Sequence, residues 1–340
     1  MKTFFHPNQK LHHPKTYLSR GQMRQPQEVP DRVDGILQGL ANLQLTVDQP
    51  IDHGITPIEA VHDLRYLDFL QTAYHQWKEV PEDWGEEVIS NVFIREPNPL
   101  RGILGQAARF LADGSCPVGQ QTWISAYWAA QSAIAAAQSV IDGEHRAYAL
   151  CRPPGHHARG DAAGGFCYVN NAAVAAQCLR SRFDKVAILD TDVHHGQGIQ
   201  EIFYNRQDVM YVSVHGDPTN FYPAVTGFEE ETGQGSGLGF NLTLPMPHGS
   251  TEAFFFEQVN KAIQAIEQFN PDALVLSHGF DIYQYDPQTK VAVTTEGFNR
   301  LGQVVCNLNL PTVVVQEGGY DLASMAVNTE RFFSGFLGLD

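Results

Sequence analysis

A chain of 340 residues with 43% hydrophobic and 18% charged side chains has ample apolar material for a core, which excludes a disordered or fibrous protein. Lys and Arg number 22 against 38 Asp and Glu, a formal charge of −16 that repels nucleic-acid phosphate and favours a cationic substrate or partner. Residues 1–27 run against that balance, holding Lys2, Lys10, Lys15, Arg20 and Arg24 and no acid.

The start, MKTFFHPNQK, has no apolar signal core, and no later run approaches the roughly 18 apolar residues of a membrane span. His12-His13, flanked by Lys10 and Lys15, reads as a surface pair, and His6, His53 and His145 are set aside with it. Residues 79–121 are rich in Pro, Gly and acids (Glu79, Glu82, Asp83, Glu86, Glu87) and have weak periodicity, so a long functional loop is expected there.

From Ala129 onward strand and helix signals alternate. The spacing predicts a helix over Ala129–Ile141, a strand over Ala147–Cys151, a helix over Asn171–Arg180 and strands over Val186–Asp190, Val209–His215 and Phe240–Leu244. A helix over Thr251–Phe269, a strand over Ala273–Ser277, a helix over Thr295–Leu308, a strand over Thr312–Gln316 and a last helix over Ala323–Phe336 follow. Continuous rather than alternating hydrophobicity marks strands covered on both faces, as in a parallel sheet. With no linker, residues 1–340 read as one doubly wound α/β domain with a mainly parallel central sheet flanked by helices. Five scattered cysteines (Cys116, Cys151, Cys167, Cys178, Cys306) without a C-x-x-C pair argue against a disulfide framework or structural zinc knot and fit a reducing cytoplasm.

In such a sheet ligands bind beyond the carboxyl ends of the strands. Four predicted strand ends release Arg152-Pro153-Pro154-Gly155-His156-His157, Asp190-Thr191-Asp192-Val193-His194-His195, His278-Gly279-Phe280-Asp281 and Glu317-Gly318-Gly319-Tyr320. Asp192 and His194, two apart on an extended strand end, point to one side, and Asp281 supplies a third donor. Two carboxylates and one imidazole suit one catalytic Zn²⁺, with Fe²⁺ or Co²⁺ also served by such ligands. His156-His157 reads as an acid–base pair, Asp190 as a residue that orients one imidazole, and Tyr320 as a phenol placed to stabilise an oxyanion. The alternating glycines Gly233–Gly239 open no helix, so they do not form a phosphate loop.

Several strings together resemble the zinc-dependent histone deacetylase superfamily, of arginase–deacetylase fold. They are Val61-His62-Asp63-x-x-Tyr66, Arg152–Ala158, Gly165-Phe166-Cys167-Tyr168-Val169-Asn170-Asn171-Ala172, Asp190-x-Asp192-x-His194-His195-Gly196, Ser277-x-Gly279-Phe280-Asp281 and Glu317–Tyr320. Length, N-terminal pattern and the 79–121 insertion resemble the bacterial acetylpolyamine amidohydrolases within it. The resemblance implies a sheet of about eight strands and removal of acetyl groups from acetylated polyamines (acetylputrescine, acetylcadaverine, acetylspermidine). Protein acetyl-lysine or another small acylamide is the alternative substrate.

It further implies that Asp192, His194 and Asp281 are the zinc ligands, His157 the general base and acid, His156 the electrostatic histidine and Tyr320 the oxyanion donor. Asp190 would support His156 and, with Ser213, Val214 and the backbone of Asp192 and His194, bind a structural K⁺; backbone near Phe203, Arg206 and Val209 would bind a second. Gly165, Phe166 and Tyr222 would wall a narrow tunnel, and Arg32 with Gly318 and Gly319 would line an acetate exit. The insertion implies a homodimer whose partner loop narrows the mouth and favours slim cationic substrates.

Two positions depart from the family pattern. Gln197 stands where the family often has the Asp or Asn that partners the base histidine. Leu104 falls where the polyamine enzymes place an acid for the distal ammonium, a role that Glu96, Asp113 or the Glu82–Glu87 cluster is left to fill. Arginase-like binuclear chemistry needs D-x-H-x-D, and the chain has Gly196 at the last position.

Overall fold

The structure is a computed structural model that describes residues 1–94 and 99–339. Its first elements are β1 (Lys2–Phe4), the hairpin β2 (Tyr17–Ser19) and β3 (Gln22–Arg24), α1 (Asp31–Asn42), the single turn α2 (Thr56–Glu59), α3 (Leu64–Lys78) and α4 (Gly102–Phe110). The central run is α5 (Thr122–Ile141), β4 (Arg146–Ala149), α6 (Asn171–Leu179), β5 (Val186–Asp190), α7 (Gln197–Phe203), β6 (Val209–Gly216) and β7 (Asn241–Met246). The chain ends with β8 (Ser250–Thr251), α8 (Glu252–Phe269), β9 (Ala273–His278), β10 (Val291–Ala292), α9 (Thr295–Asn307), β11 (Thr312–Gln316) and α10 (Met325–Leu337).

Seven strands form the main sheet in the order β1-β4-β11-β9-β5-β6-β7, and every pairing is parallel. The about eight strands implied by the resemblance are therefore seven among the described residues. Successive strand residues face opposite sides. On β5, Ala187 and Leu189 enter a core with α1, α8, α9 and α10, while Val186 and Ile188 enter a second core with α5, α6 and α7. Both faces are thus buried, as the continuous apolar runs required.

The β4, β11, β9 and β5 strands are contiguous in the sheet, so their four outgoing loops meet at one carboxyl edge. That adjacency positions the site.

Two expectations are corrected. The 79–121 segment is not a structureless loop: it carries α4, a bridge between Val88 and Val118, and a third core joining Val88, Ile103, Phe110 and Val118 to Tyr66, Phe69 and Trp77 of α3. His12 is not a surface residue: its ring is buried beside Thr122 Oγ1 at 3.1 Å, and its carbonyl accepts from Arg152. Strand β1, in a stretch to which the spacing assigns no element, pairs with β4 at the sheet edge. All five cysteines are free, and no helix among the described residues is long and apolar enough to cross a membrane.

Candidate active site

Asp192 and His194 leave β5 two residues apart, and Asp281 leaves β9, its neighbour in the sheet. One donor atom from each lies within 4.8 Å of the others. His194 Nδ1 is 3.1 Å from Asp192 Oδ1 and 3.1 Å from Asp281 Oδ2. Backbone N–H groups fix the carboxylates: Gly318 N donates to Asp192 Oδ2 at 2.8 Å and Val193 N to Asp281 Oδ1 at 3.0 Å. The close approach explains the glycine, since a Cβ on Gly318 would sit 2.3 Å from Asp281 Oδ2 and 2.5 Å from Asp192 Oδ2. Two buried carboxylates at this range demand positive charge. Burial pushes Asp281 up to about 7, reinforced by Asp192, whereas Asp192 is held well below its ordinary value by His156 and His194 against the opposing effect of burial. The donor set fits one divalent cation of the Zn²⁺, Fe²⁺ or Co²⁺ type.

The neighbouring histidines sit in opposite environments. Burial disfavours charge on His156, but Asp192 and Asp190 outweigh it and raise the ring to about 10. Its Nδ1 lies 3.0 Å from Asp190 Oδ2, which also accepts from Tyr211 Oη at 3.0 Å. His157 is buried beside His156 and His194, and burial and then their charges hold it well below its ordinary value. Its Nδ1 meets Gln197 Oε1 at 2.6 Å. The two adjacent rings are therefore driven in opposite directions, His156 toward the charged form and His157 toward the neutral one. Gly165, at φ +54°, abuts His157 so closely that a Cβ there would lie 2.3 Å from Cδ2 of the ring.

Above them opens a cavity of about 920 Å³, lined by His157, His194, Tyr320, Gly165, Phe166 and Tyr222 at its floor and walls. Tyr320 is buried, its ring beneath the Arg32 guanidinium at 4.9 Å and its backbone N–H donating to Asp286 Oδ2 at 2.6 Å. Arg32 itself donates to the carbonyls of Gly319 and Glu317 and to Glu28. Asp190 and Ser213 are paired across β5 and β6 next to Val214, and Ser213 Oγ meets His215 Nδ1 at 2.8 Å. Phe203 closes α7, Arg206 N donates to its carbonyl, and Val209 opens β6.

The mouth is less acidic than the overall charge suggested. Among the described residues its charged lining is Arg20, Arg24 and Asp113. Glu82 accepts from the Trp84 indole, Glu86 pairs with Lys78 and Glu87 accepts from Lys15 N, and none of them lines this cavity. Glu96 lies outside the described residues. Leu104 lines a separate apolar hollow with Leu18, Met23, Trp77 and Trp84.

Some site residues had no usable signal. Glu317 Oε2 accepts from Gly155 N at 2.6 Å and His156 N at 3.0 Å, holding the histidine loop, although the Glu-Gly-Gly-Tyr string showed only its tyrosine as chemical. Phe221 stacks on His194 at 4.7 Å and Tyr17 meets Phe166 edge-on at 5.1 Å. The proximity of Tyr17 to a residue this distant in sequence left no trace in spacing.

Residues 26–336 match the model of the histone deacetylase domain. The chain is 64% identical over 99% of its length to the acetylpolyamine amidohydrolase of Burkholderia pseudomallei (strain 1710b), covering 98% of that protein. It is 36% identical to the acetylpolyamine amidohydrolase of Mycoplana ramosa, covering 99% of this chain and 100% of that one. A crystal structure of an acetylpolyamine aminohydrolase from Burkholderia pseudomallei superposes with a TM-score of 0.99 at 64% identity, over 100% of this chain and 99% of that one.

Proposed function

The chain belongs to the histone deacetylase domain family, a family of hydrolases, and from that membership we propose that it is a metal-dependent amidohydrolase of acetylated polyamines. Acetylputrescine, acetylcadaverine and acetylspermidine are its substrates in this reading, and acetate and the free amine its products. The observation that carries the chemistry is the meeting of Asp192, His194 and Asp281 with His157 and Tyr320 at the floor of one cavity. Full-length identity of 64% to a protein named acetylpolyamine amidohydrolase supports the substrate class.

A divalent cation held by Asp192, His194 and Asp281 would supply Lewis-acid polarisation of the acetamide and acidify a water beside it. His157, neutral and donating Nδ1–H to Gln197, presents a free Nε2 that takes a proton from the attacking water and returns it to the leaving amine. Tyr320 stays protonated, since burial lifts its phenol well above 10, and its hydroxyl donates to the acetamide oxygen as negative charge develops there. His156, kept cationic by Asp192 and Asp190, adds positive field under the same centre. Phe166 and Tyr222 flank the methylene chain and exclude water.

Arg32, fastened to the carbonyls of Gly319 and Glu317, is suited to guide acetate away through the interior. Asp190, Ser213 and Val214, and separately the carbonyls at Phe203, Arg206 and Val209, belong to this reading as the two K⁺ positions. So do a cytoplasmic location and a homodimer formed through residues 79–121, where Val92, Phe93 and Leu104 are exposed. A partner loop would narrow the broad mouth. Without it, the breadth of that mouth favours the second reading, a deacetylase of acetyl-lysine peptides.

Zinc-loaded protein assayed on acetylputrescine, acetylcadaverine, acetylspermidine and acetyl-lysine peptides separates the two. The polyamine reading expects higher kcat/KM on at least one acetylpolyamine. Peptides turned over far better than all of them would overturn it.

A further inference from the structure

Asp113, Tyr222, Gln197 and His157 form an unbroken hydrogen-bonded chain from the cavity wall to the base. Tyr222 Oη lies 2.6 Å from Asp113 Oδ2, Gln197 Nε2 lies 3.2 Å from Tyr222 Oη, and Gln197 Oε1 lies 2.6 Å from His157 Nδ1. Asp113 is itself anchored, accepting from Gly165 N at 3.2 Å and from the Ser115 backbone N–H at 2.8 Å and hydroxyl. Gln197 and His157 are buried, and Asp113 and Tyr222 half-buried.

Each link has only one polarity consistent with the next. A carboxylate offers lone pairs and no proton, so Tyr222 must donate to Asp113. Its hydroxyl proton spent, Tyr222 faces Gln197 with lone pairs and accepts from the amide NH₂. Gln197 then turns its carbonyl oxygen to His157, which donates Nδ1–H and keeps Nε2 unprotonated. A carboxylate next to His157 would fix that tautomer by itself. An amide does not, because Gln197 turned end for end would give NH₂ to Nδ1 and leave the proton on Nε2, where a base is useless.

We propose that Asp113 is a positioning residue that sets the tautomer of His157 through Tyr222 and Gln197, replacing with a three-residue relay what a single carboxylate at position 197 would do. The assignment rests on the deacetylase reading of His157. It makes Asp113 part of the proton-transfer apparatus rather than a binding group for the substrate's distal ammonium, although it lines the same cavity. Burial and then the Asp113 charge keep the Tyr222 phenol well above its ordinary value, so it holds its proton throughout.

The test is a cycle of zinc-loaded variants assayed on the best acetylated amine. Asp113→Ala should lower kcat about ten-fold or more with KM within two-fold, a portion of the 10²–10⁴ that acid–base catalysis contributes. In a Gln197→Glu background, where no amide needs orienting, Asp113→Ala should change kcat less than two-fold. Equal losses in both backgrounds would make Asp113 a structural support, and a rise in KM with kcat unchanged would make it a substrate group; either overturns the proposal. ¹⁵N spectra of histidine-labelled protein give a readout independent of turnover. His157 should be Nδ1–H in the wild type and shift toward Nε2–H in Asp113→Ala, and an unchanged tautomer overturns the relay. Absence of turnover by the wild type would count against the deacetylase reading alone, since the spectra still decide the relay.

Discussion

His156 and His157 are adjacent in the chain with ring centroids 3.9 Å apart, yet the structure drives their proton affinities in opposite directions. Asp192 and Asp190 overcome burial to raise His156 to about 10, while burial and then the charge on His156 hold His157 low. In the proposed reaction His157 is therefore the ring that takes and returns the proton. His157→Gln should therefore lower kcat by about 10²–10⁴, and His156→Gln by a smaller factor, as a loss of field rather than of the proton carrier. Steady-state kcat for the two variants checks this; a larger loss from His156→Gln would reverse the assignment.

In the proposed reaction Tyr320 contributes one hydroxyl to the developing oxyanion. Tyr320→Phe keeps the ring beneath Arg32 and removes only that donor, so kcat should fall about 10²–10³-fold while KM moves little. A variant with undiminished kcat would remove Tyr320 from the chemistry.

The carboxylates of Asp192 and Asp281, proposed to hold the metal, are packed against the backbone of Gly318. In Gly318→Ala the new Cβ would have to fit within 2.5 Å of an oxygen of both Asp281 and Asp192. The carboxylates must turn away, and zinc affinity should weaken by ten-fold or more. Competition titration with a chromogenic chelator measures the loss, and a melting temperature that no longer rises on adding zinc reports the same change.

His12 and His62 are buried, and burial drives them down to about 3 and about 4, against 6.5 for the unfolded chain. As pH falls below 6.5 the unfolded chain takes up protons that the folded one refuses. Stability is thus full above about pH 6.5 and is lost as the pH drops toward 4, by about 1.4 kcal/mol per pH unit for each such ring. Thermal melts between pH 7 and 5 should show His12→Gln losing less stability on acidification than the wild type, a difference that isolates this ring from the buried carboxylates Asp281 and Glu317, whose raised values act in the opposite sense. Parallel curves for the two proteins would contradict the account.

The parts of this protein legible in its sequence are those written in local spacing. The buried strands carried continuous apolar runs, and Asp192 and His194 were recognisable because alternate residues on an extended end share a side. Placing Asp281 beside them needed only the rule that parallel strands open toward one edge. What stayed hidden depended on distant partners. His12 looked exposed among lysines, but Thr122 and Arg152 enclose it from more than a hundred residues away. Helix α4 had apolar residues at Ile103, Ala107 and Phe110, at helical spacing, masked by the Pro- and Gly-rich flanks. Strand β1, three residues long, was too short to show a period. The Asp113–Tyr222 bond joins residues 109 apart and leaves no pattern in either neighbourhood.

Zinc titrated into metal-free protein, with acetate release from acetylputrescine followed at each step, bears most directly on the reaction proposed for Asp192, His194 and Asp281. Activity should be absent at the start, rise in proportion to added zinc and stop rising at one equivalent per chain. Full activity without metal, or a break at two equivalents, would contradict a single cation held by those three side chains.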